Sequence, residues 1–275
     1  MLGAIIGDIV GSPFEFDQGD KTTTFKLFSR SSDFTDDTLL TLAVGDALLD
    51  LGGDETDADA VITASLRRFA ELYPLPKGGF GGRFARWLMS GDPSPYGSYG
   101  NGSAMRVSAA GWLFDSLEAT EHWAEITARV THNHPEGIKG AQATAAMIYL
   151  ARTEGASPDA KARQKAYVES RFGYDLSRTC DEIRPNYRHV ESCQESVPEA
   201  ITAYLESTDF ESAIRLTVSL GGDTDTLGAI AGSIAEGAYP IPSAIADQAL
   251  RRLPKKLRAV LDRFWTARGF SYTAC

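Results

Sequence analysis

The stretch "SLGGDTDTLGAIAG", residues 219–232, holds two glycines, then two aspartates each followed by a threonine, then a run of small apolar residues. Asp223 and Asp225 are two positions apart. On a helix that spacing turns their side chains about 200° away from each other. In turn or extended backbone, residues i and i+2 point to one side. The spacing therefore predicts that both carboxylates lie ahead of a helix over 226–238, aimed by the backbone freedom of Gly221 and Gly222.

The helix that follows keeps Gly228, Gly232 and Ala235 among small residues. The segment "GAIIGDIVG" (3–11) has the same habit, with Gly3, Gly7 and Gly11 on one bare stripe. Each helical glycine costs about 1 kcal/mol relative to alanine, so such a stripe persists where another helix packs closely on it. The two segments are expected to sit together at the centre of the molecule. Helical periodicity recurs over 38–50, 60–72, 135–152, 158–172, 197–207, 209–220 and 242–268, the last interrupted at Pro254. No alternating strand run, internal repeat or domain linker stands out. The expectation is one all-α domain spanning 1–275, with its chemistry on helix termini and on loops 12–37, 74–106, 131–136, 173–197 and 221–225.

The 275 residues are 43% hydrophobic and 23% charged, enough for a sizeable core. The net charge of −10 repels phosphate backbones and anionic membranes, which argues against nucleic acid or a membrane as partner. The apolar opening run lacks a basic flank and is broken by Asp8, so it reads as neither a signal peptide nor a membrane span. Cys180, Cys193 and Cys275 are odd in number and form no CxxC, which points to free thiols in a reducing cytoplasm.

A second acidic cluster is "FTDDTLLTLAV" (34–44), where Thr35, Asp36, Asp37 and Thr38 stand at the mouth of an apolar helix. Helix capping explains one such residue per helix. Four carboxylates with threonines at two helix mouths exceed that need. Their oxygens suit Mg²⁺, Mn²⁺ or Ca²⁺, and the absence of nearby Cys or His argues against zinc. The small residues after Asp225 would let the two mouths approach. In "YGSYGNGSAMRVSAAGW" (96–112), Gly97, Gly100 and Gly102 would leave N–H groups open ahead of a helix near Ser103, a way of holding phosphate. It is not a P-loop, and by itself it reads better as a plain glycine turn. In "THNHPEG" (131–137), one histidine could cap the helix at Pro135, and His132 could meet a substrate or orient a ligand.

These pieces, in this order, resemble the ADP-ribosylglycohydrolase family, typified by the dinitrogenase-reductase-activating glycohydrolase. The matching segments are "GAIIGDIVGSPFE" (3–15), "FTDDTLLTLAV", "GNGSAMR" (100–106), "THNHPEGIKGA" (131–141) and "SLGGDTDTLGAIAGSIAEGAY" (219–239). The resemblance implies a compact orthogonal multi-helix bundle with a binuclear Mg²⁺ or Mn²⁺ centre. Thr35, Asp36 and Asp37 match one ligand motif, and Asp223, Asp225 and Thr226 the other. Glu15 matches an acidic residue that approaches the metals. Glu15, or a carboxylate such as Asp36, is the implied proton-transfer group. Asn101, Gly102, Ser103, Ala104, Met105 and Arg106 match the segment holding the ADP-ribose phosphates, and His132 a histidine near the ribose. The implied reaction releases ADP-ribose from a modified protein, foremost from arginine, or from a small ADP-ribose conjugate. Alternatives are O-linked substrates (serine or acetyl) and a non-catalytic metal-stabilised binding or structural protein. Nothing in the chain calls for an oligomer, so a monomer is expected. In one departure, bacterial relatives read "CQGSVPEA" where this chain reads "CQESVPEA", with Glu195 at the glycine position.

Overall fold

The computed structural model describes residues 1–269, and Cys275 lies outside them. The regular structure among these residues is helical. The chain runs through α1 (Leu2–Gly11), α2 (Asp36–Leu51), α3 (Ala58–Leu72), α4 (Gly82–Met89), α5 (Gly102–Met105), α6 (Ser108–Leu113), α7 (Leu117–Arg129) and α8 (Pro135–Glu154). It continues through α9 (Pro158–Phe172), α10 (Cys180–Ile183), α11 (Cys193–Glu206), α12 (Phe210–Ser219), α13 (Thr224–Ala238), α14 (Ser243–Leu250) and α15 (Lys255–Ala267). Two isolated β-bridges occur, Thr35 with Lys77 and Gly100 with Ser192. No helix among the described residues is long and apolar enough to cross a membrane.

The centre is the pair α1 and α13, packed backbone on backbone. A Cβ on Gly3 would stand 2.1 Å from the Gly232 carbonyl oxygen, one on Gly7 1.8 Å from that of Gly228, and one on Gly11 2.2 Å from that of Thr224. The rising numbers on one helix meet falling numbers on the other, so the helices are antiparallel. Side chains tie both ends of the seam. Glu236 on α13 accepts the N–H groups of Leu2 (3.2 Å) and Gly3 (2.9 Å), closing the open start of α1. Thr224 Oγ1 donates to the Gly11 carbonyl at 2.9 Å. The chain leaving α1 is thereby delivered to the first turn of α13. Helices α8, α11 and α12 close around α13, and α2 crosses α1 and carries α3 and α15 outside it.

The helices expected over 38–50, 60–72, 135–152, 158–172 and 209–220 form with ends shifted by a few residues. The stretch 242–268 splits into α14 and α15 beside Pro254, whose fixed φ suits the start of the second helix. Three departures have physical causes. Loop 74–106 contains α4, whose glycine-rich approach hides a short helix with Phe84 and Trp87 on its buried side. The amphipathic α7 starts at Ser116, whose side chain accepts the Ala119 N–H. Helix α11 begins at Cys193, so Pro198 lies inside it, although proline favours a first turn.

The seam predicts a sharp asymmetry among glycines. Gly7→Ala should lower stability by about 3 kcal/mol or more in urea unfolding, or prevent folding, because the clash is with backbone that cannot rotate away. Gly82→Ala, with nothing within 4 Å of the added carbon, should leave the midpoint unchanged or higher.

Candidate active site

A cleft of about 730 Å³ opens where the turn after α1, the starts of α2 and α13, and the segments 78–86, 96–102 and 189–195 meet. Its deep end is acidic. The first anchor of that end is Asp8, fully buried in the second turn of α1. Its carboxylate accepts from Thr35 N (3.0 Å), Thr35 Oγ1 (2.8 Å), Thr38 N (3.0 Å) and Thr38 Oγ1. Burial lifts its pKa to about 6, against the pull of these four donors. Asp8 thus docks the N-terminus of α2 onto α1. Sequence reading took it only as the residue that interrupts an apolar run. A lone aspartate inside a glycine-striped helix was the available signal.

Thr35 is the N-cap of α2, its Oγ1 accepting the Asp37 N–H at 3.1 Å. Asp36 and Asp37 follow in the first turn, and both line the cleft. Asp37 Oδ1 is buried and has no hydrogen-bond partner. On the facing side, Gly221 and Gly222 both hold left-handed backbone, φ +79° and +77°. Asp223 is the N-cap of α13, at φ −86° and ψ 69°. Asp225 is not ahead of the helix, as its spacing suggested, but inside the first turn. The two still converge because Asp223 is outside helical geometry. Glu15, Asp223 and Asp225 each offer an oxygen within 4.8 Å of the others. Asn101 Nδ2 donates to Asp223 Oδ2 at 2.6 Å and to Ser196 Oγ at 3.1 Å, so it orients that carboxylate. Thr226 lines the same wall.

Glu15 leaves α1 on an irregular turn. The next two residues, Phe16 and Asp17, both take left-handed backbone (φ 60° and 57°), a strain of about 1–3 kcal/mol each. The Glu15 carboxylate lies against Gly78, where a Cβ would be 3.0 Å from Oε2. Burial first, and then the charge of Asp225, push its pKa up to about 8. Asp223 rises to about 7, mainly through burial. Asp36, Asp37 and Asp225 also rise well above the ordinary range, through burial and then mutual repulsion. Five crowded carboxyls of this kind, one oxygen without a donor, and no Cys or His in the converging trio fit an oxygen-preferring cation.

The glycine loop differs from its expectation. Gly97 N–H goes to Asn133 Oδ1 (2.8 Å), Gly100 N–H to Ser98 Oγ (3.2 Å) and Asn101 N–H to the Glu191 carbonyl (2.8 Å). The first two glycine amides are therefore committed within the fold. Gly102 and Met105 line the cleft with Asn101. Ser103 and Ala104 are fully buried, and Ser103 Oγ donates to the Gly137 carbonyl. Arg106 borders the floor, yet its guanidinium is buried and donates to the Thr127 carbonyl and Thr131 Oγ1. In "THNHPEG" the capping histidine is His134, and His132 borders the cleft. His134 Nδ1 accepts the Glu136 N–H and caps α8. His132 Nδ1 pairs with Thr131 Oγ1 at 2.8 Å, while Nε2 faces Gly100 and Gly102. Burial and then Arg106 hold its pKa well below the usual value, so it is neutral at pH 7. The sequence reading missed Arg83 and Arg86 on α4, and His189 and Glu191 on the opposite rim. Isolated in sequence, they carry no motif.

The ADP-ribosylglycohydrolase family profile matches residues 1–273. The chain belongs to this family. Similar proteins include human ADP-ribosylhydrolase ARH3, 28% identical over 87% of this chain and 84% of its own length. ADP-ribosylarginine hydrolase Tri1 of Pseudomonas putida is 26% identical over 88% of this chain and 70% of its own. ADP-ribosyl-[dinitrogen reductase] glycohydrolase of Rhodospirillum rubrum is 26% identical over 98% and 95%. A solved ADP-ribosylglycohydrolase-related protein complex has the same fold, with a TM-score of 0.69 over 97% of this chain and 96% of that one at 22% identity. Membership in a family of hydrolases and the helical fold thus agree with the resemblance seen in the motifs.

The raised carboxyl pKa values of this glycohydrolase family member set a pH dependence. Acids whose folded pKa exceeds the unfolded value retain protons that the unfolded chain releases, so stability falls as pH rises between about 4 and about 8. Without divalent cation, the unfolding temperature should be lower at pH 8 than at pH 5.5. Added Mn²⁺ should raise it more at pH 8, where the carboxylates are ionised. Equal cation effects at both pH values would contradict this account of the acidic cluster.

Proposed function

We propose that the cleft hydrolyses the C1″ glycosidic bond joining ADP-ribose to an acceptor, with an arginine guanidinium as the foremost acceptor. The observation that carries this is the convergence of Glu15, Asp223 and Asp225, with Asp36 and Asp37 beside them, at one end of a cleft of dinucleotide size. Two Mg²⁺ or Mn²⁺ ions would be held by Asp36, Asp37, Asp223, Asp225 and Thr226, with Thr35 and Glu15 completing the set. When bound, such ions polarise the ribose hydroxyls and make a bound water more acidic.

The chain's own residues do the rest. Asn101 keeps Asp223 turned inward. Neutral His132 presents Nε2 to the sugar beside Gly100 and Gly102. Glu15 holds or moves the proton exchanged with the departing acceptor or the incoming water, as the C1″ bond breaks through an oxocarbenium-like state. With Gly97 and Gly100 amides committed and Arg106 buried, the cleft-lining arginines left to meet a diphosphate are Arg86 and, with the donors not given to the Tyr96 carbonyl, Arg83, both on α4. The mouth beside Glu15 is acidic, with Glu191 and Glu195 on its rim, which suits a positively charged guanidinium. The similarity to Tri1, an ADP-ribosylarginine hydrolase, supports the same choice.

Purified protein with Mn²⁺ should release free ADP-ribose from an arginine-linked protein, and faster than from a serine-linked one. Asp36→Ala and Asp225→Ala should each reduce release more than about 100-fold while the protein stays folded by circular dichroism. A wild type inert on arginine-, serine- and acetyl-linked substrates alike would sink the enzymatic reading. If such a protein unfolds when Asp36 and Asp225 are replaced, the site is structural. For the diphosphate, Arg83→Ala and Arg86→Ala should each raise KM about 10-fold with kcat nearly unchanged. A fall in kcat instead would place these arginines at the reacting end.

A further inference from the structure

The turn that carries Glu15 is held by a residue that no motif singles out. Asp17 stands two residues after Glu15. Its Oδ1 accepts the Gly222 N–H at 2.9 Å, and its Oδ2 accepts the His189 N–H at 3.0 Å. Gly222 is the residue immediately before Asp223. The His189 ring in turn packs on Phe16, with centroids 4.8 Å apart. One carboxylate thus ties together the turn bearing Glu15, the glycine pair that aims Asp223, and the rim at 189–191.

These tethers matter because, beyond local backbone bonds such as Gln18 N–H to the Phe14 carbonyl (3.1 Å), the turn has few anchors of its own. Phe16 and Asp17 are consecutive non-glycine residues in left-handed backbone, a conformation that bulky side chains rarely adopt. Phe16 is 52% exposed, so no core packing fixes it. A second clamp lies four residues on, where Lys21 Nζ donates to the carbonyls of Arg184 (3.1 Å) and Tyr187 (2.5 Å). It anchors the far end of the segment and leaves the Glu15 end to Asp17. Gly222 lies close against the 187–188 backbone, where an added Cβ would stand 2.9 Å from the Arg188 carbonyl oxygen.

We infer that Asp17 is a positioning residue, a latch that holds Glu15 at fixed distance from Asp223 and Asp225 by bridging the backbones of Gly222 and His189. The inference deepens the cation-dependent glycohydrolase reading and rests on it for its functional consequence. It does not rest on it for the latch itself.

The test compares the parent chain with Asp17→Ala, Asp17→Asn and Asp17→Gly. Asn keeps one acceptor and tolerates left-handed backbone, whereas Gly relieves the strain and removes the latch. Amide hydrogen exchange should quicken over residues 14–18 and at 189 and 222 in the Ala and Gly variants, with α1 and α13 unchanged. Mn²⁺ affinity by calorimetry should fall about 10-fold in Ala and Gly and less in Asn, with the unfolding temperature within a few degrees of the parent. In the release assay, kcat should fall with affinity while KM for the ADP-ribosylated substrate holds. Unchanged exchange in Asp17→Ala overturns the latch. So does Mn²⁺ affinity and kcat equal to the parent's in both Ala and Gly variants. A parent that takes up no Mn²⁺ overturns the reading of the site, and the exchange result then decides the latch alone.

Discussion

The contact of Gly7 with Gly228 is the constraint on which the rest of this molecule depends. Two helices meet there with no side chain between them, and the stripe repeats one turn away at Gly3 with Gly232 and at Gly11 with Thr224. Because backbone meets backbone, the register has little freedom: a slide of one residue would bring a Cβ into a carbonyl oxygen. The antiparallel direction then decides the chemistry. It sets the C-terminal end of α1, and Glu15 just beyond it, beside the N-terminal end of α13 with Asp223 and Asp225. A helix N-terminus is also where backbone N–H groups and the helix dipole favour carboxylates, so the acidic residues stand where the fold tolerates them best.

The second acidic mouth arrives by a different device. The small residues after Asp225 suggested that the starts of α2 and α13 come close. They do meet at one cleft, but the close glycine seam is not between them. The seam belongs to α1 and α13, and α2 is brought to it by Asp8, which binds the backbone and side-chain donors of Thr35 and Thr38. Asp8 is thus a buried carboxylate whose work is docking, while Asp36 and Asp37 face the cleft. Asp8 is a fully satisfied buried carboxylate, whereas Asp37 keeps one oxygen without a donor among crowded acids. Complete hydrogen bonding marks a group that holds the fold, and crowding with an unpaired oxygen marks a candidate for function.

The two isolated bridges are the remaining organisers. Thr35 with Lys77 ties the T-D-D-T motif to the glycine-rich approach of α4, and Gly100 with Ser192 ties the 96–102 loop to the opposite rim. Each joins distant loops across the cleft. The second occupies the Asn101 amide, while side chains of Asn133 and Ser98 take those of Gly97 and Gly100. A loop amide that pairs with another loop gives rigidity to the pocket wall, and the polar side chains lining the cleft include Arg83, Arg86 and His132.

What the sequence by itself determined is local and periodic. Four-residue glycine spacing announced the central seam, apolar periodicity announced most of the helices, and carboxylates with threonines at two helix starts announced an acidic site. These signals survive in one dimension because helix geometry repeats every few residues. What only the tertiary structure decided involves residues distant in sequence. It decided that Asp8 docks α2, that Asn101 orients Asp223 over 122 positions, and that Asp225 converges on Glu15 from inside a helix. Pairings of that kind depend on the antiparallel register of the seam and on which donors burial leaves without water, and neither is written in the spacing of any one segment.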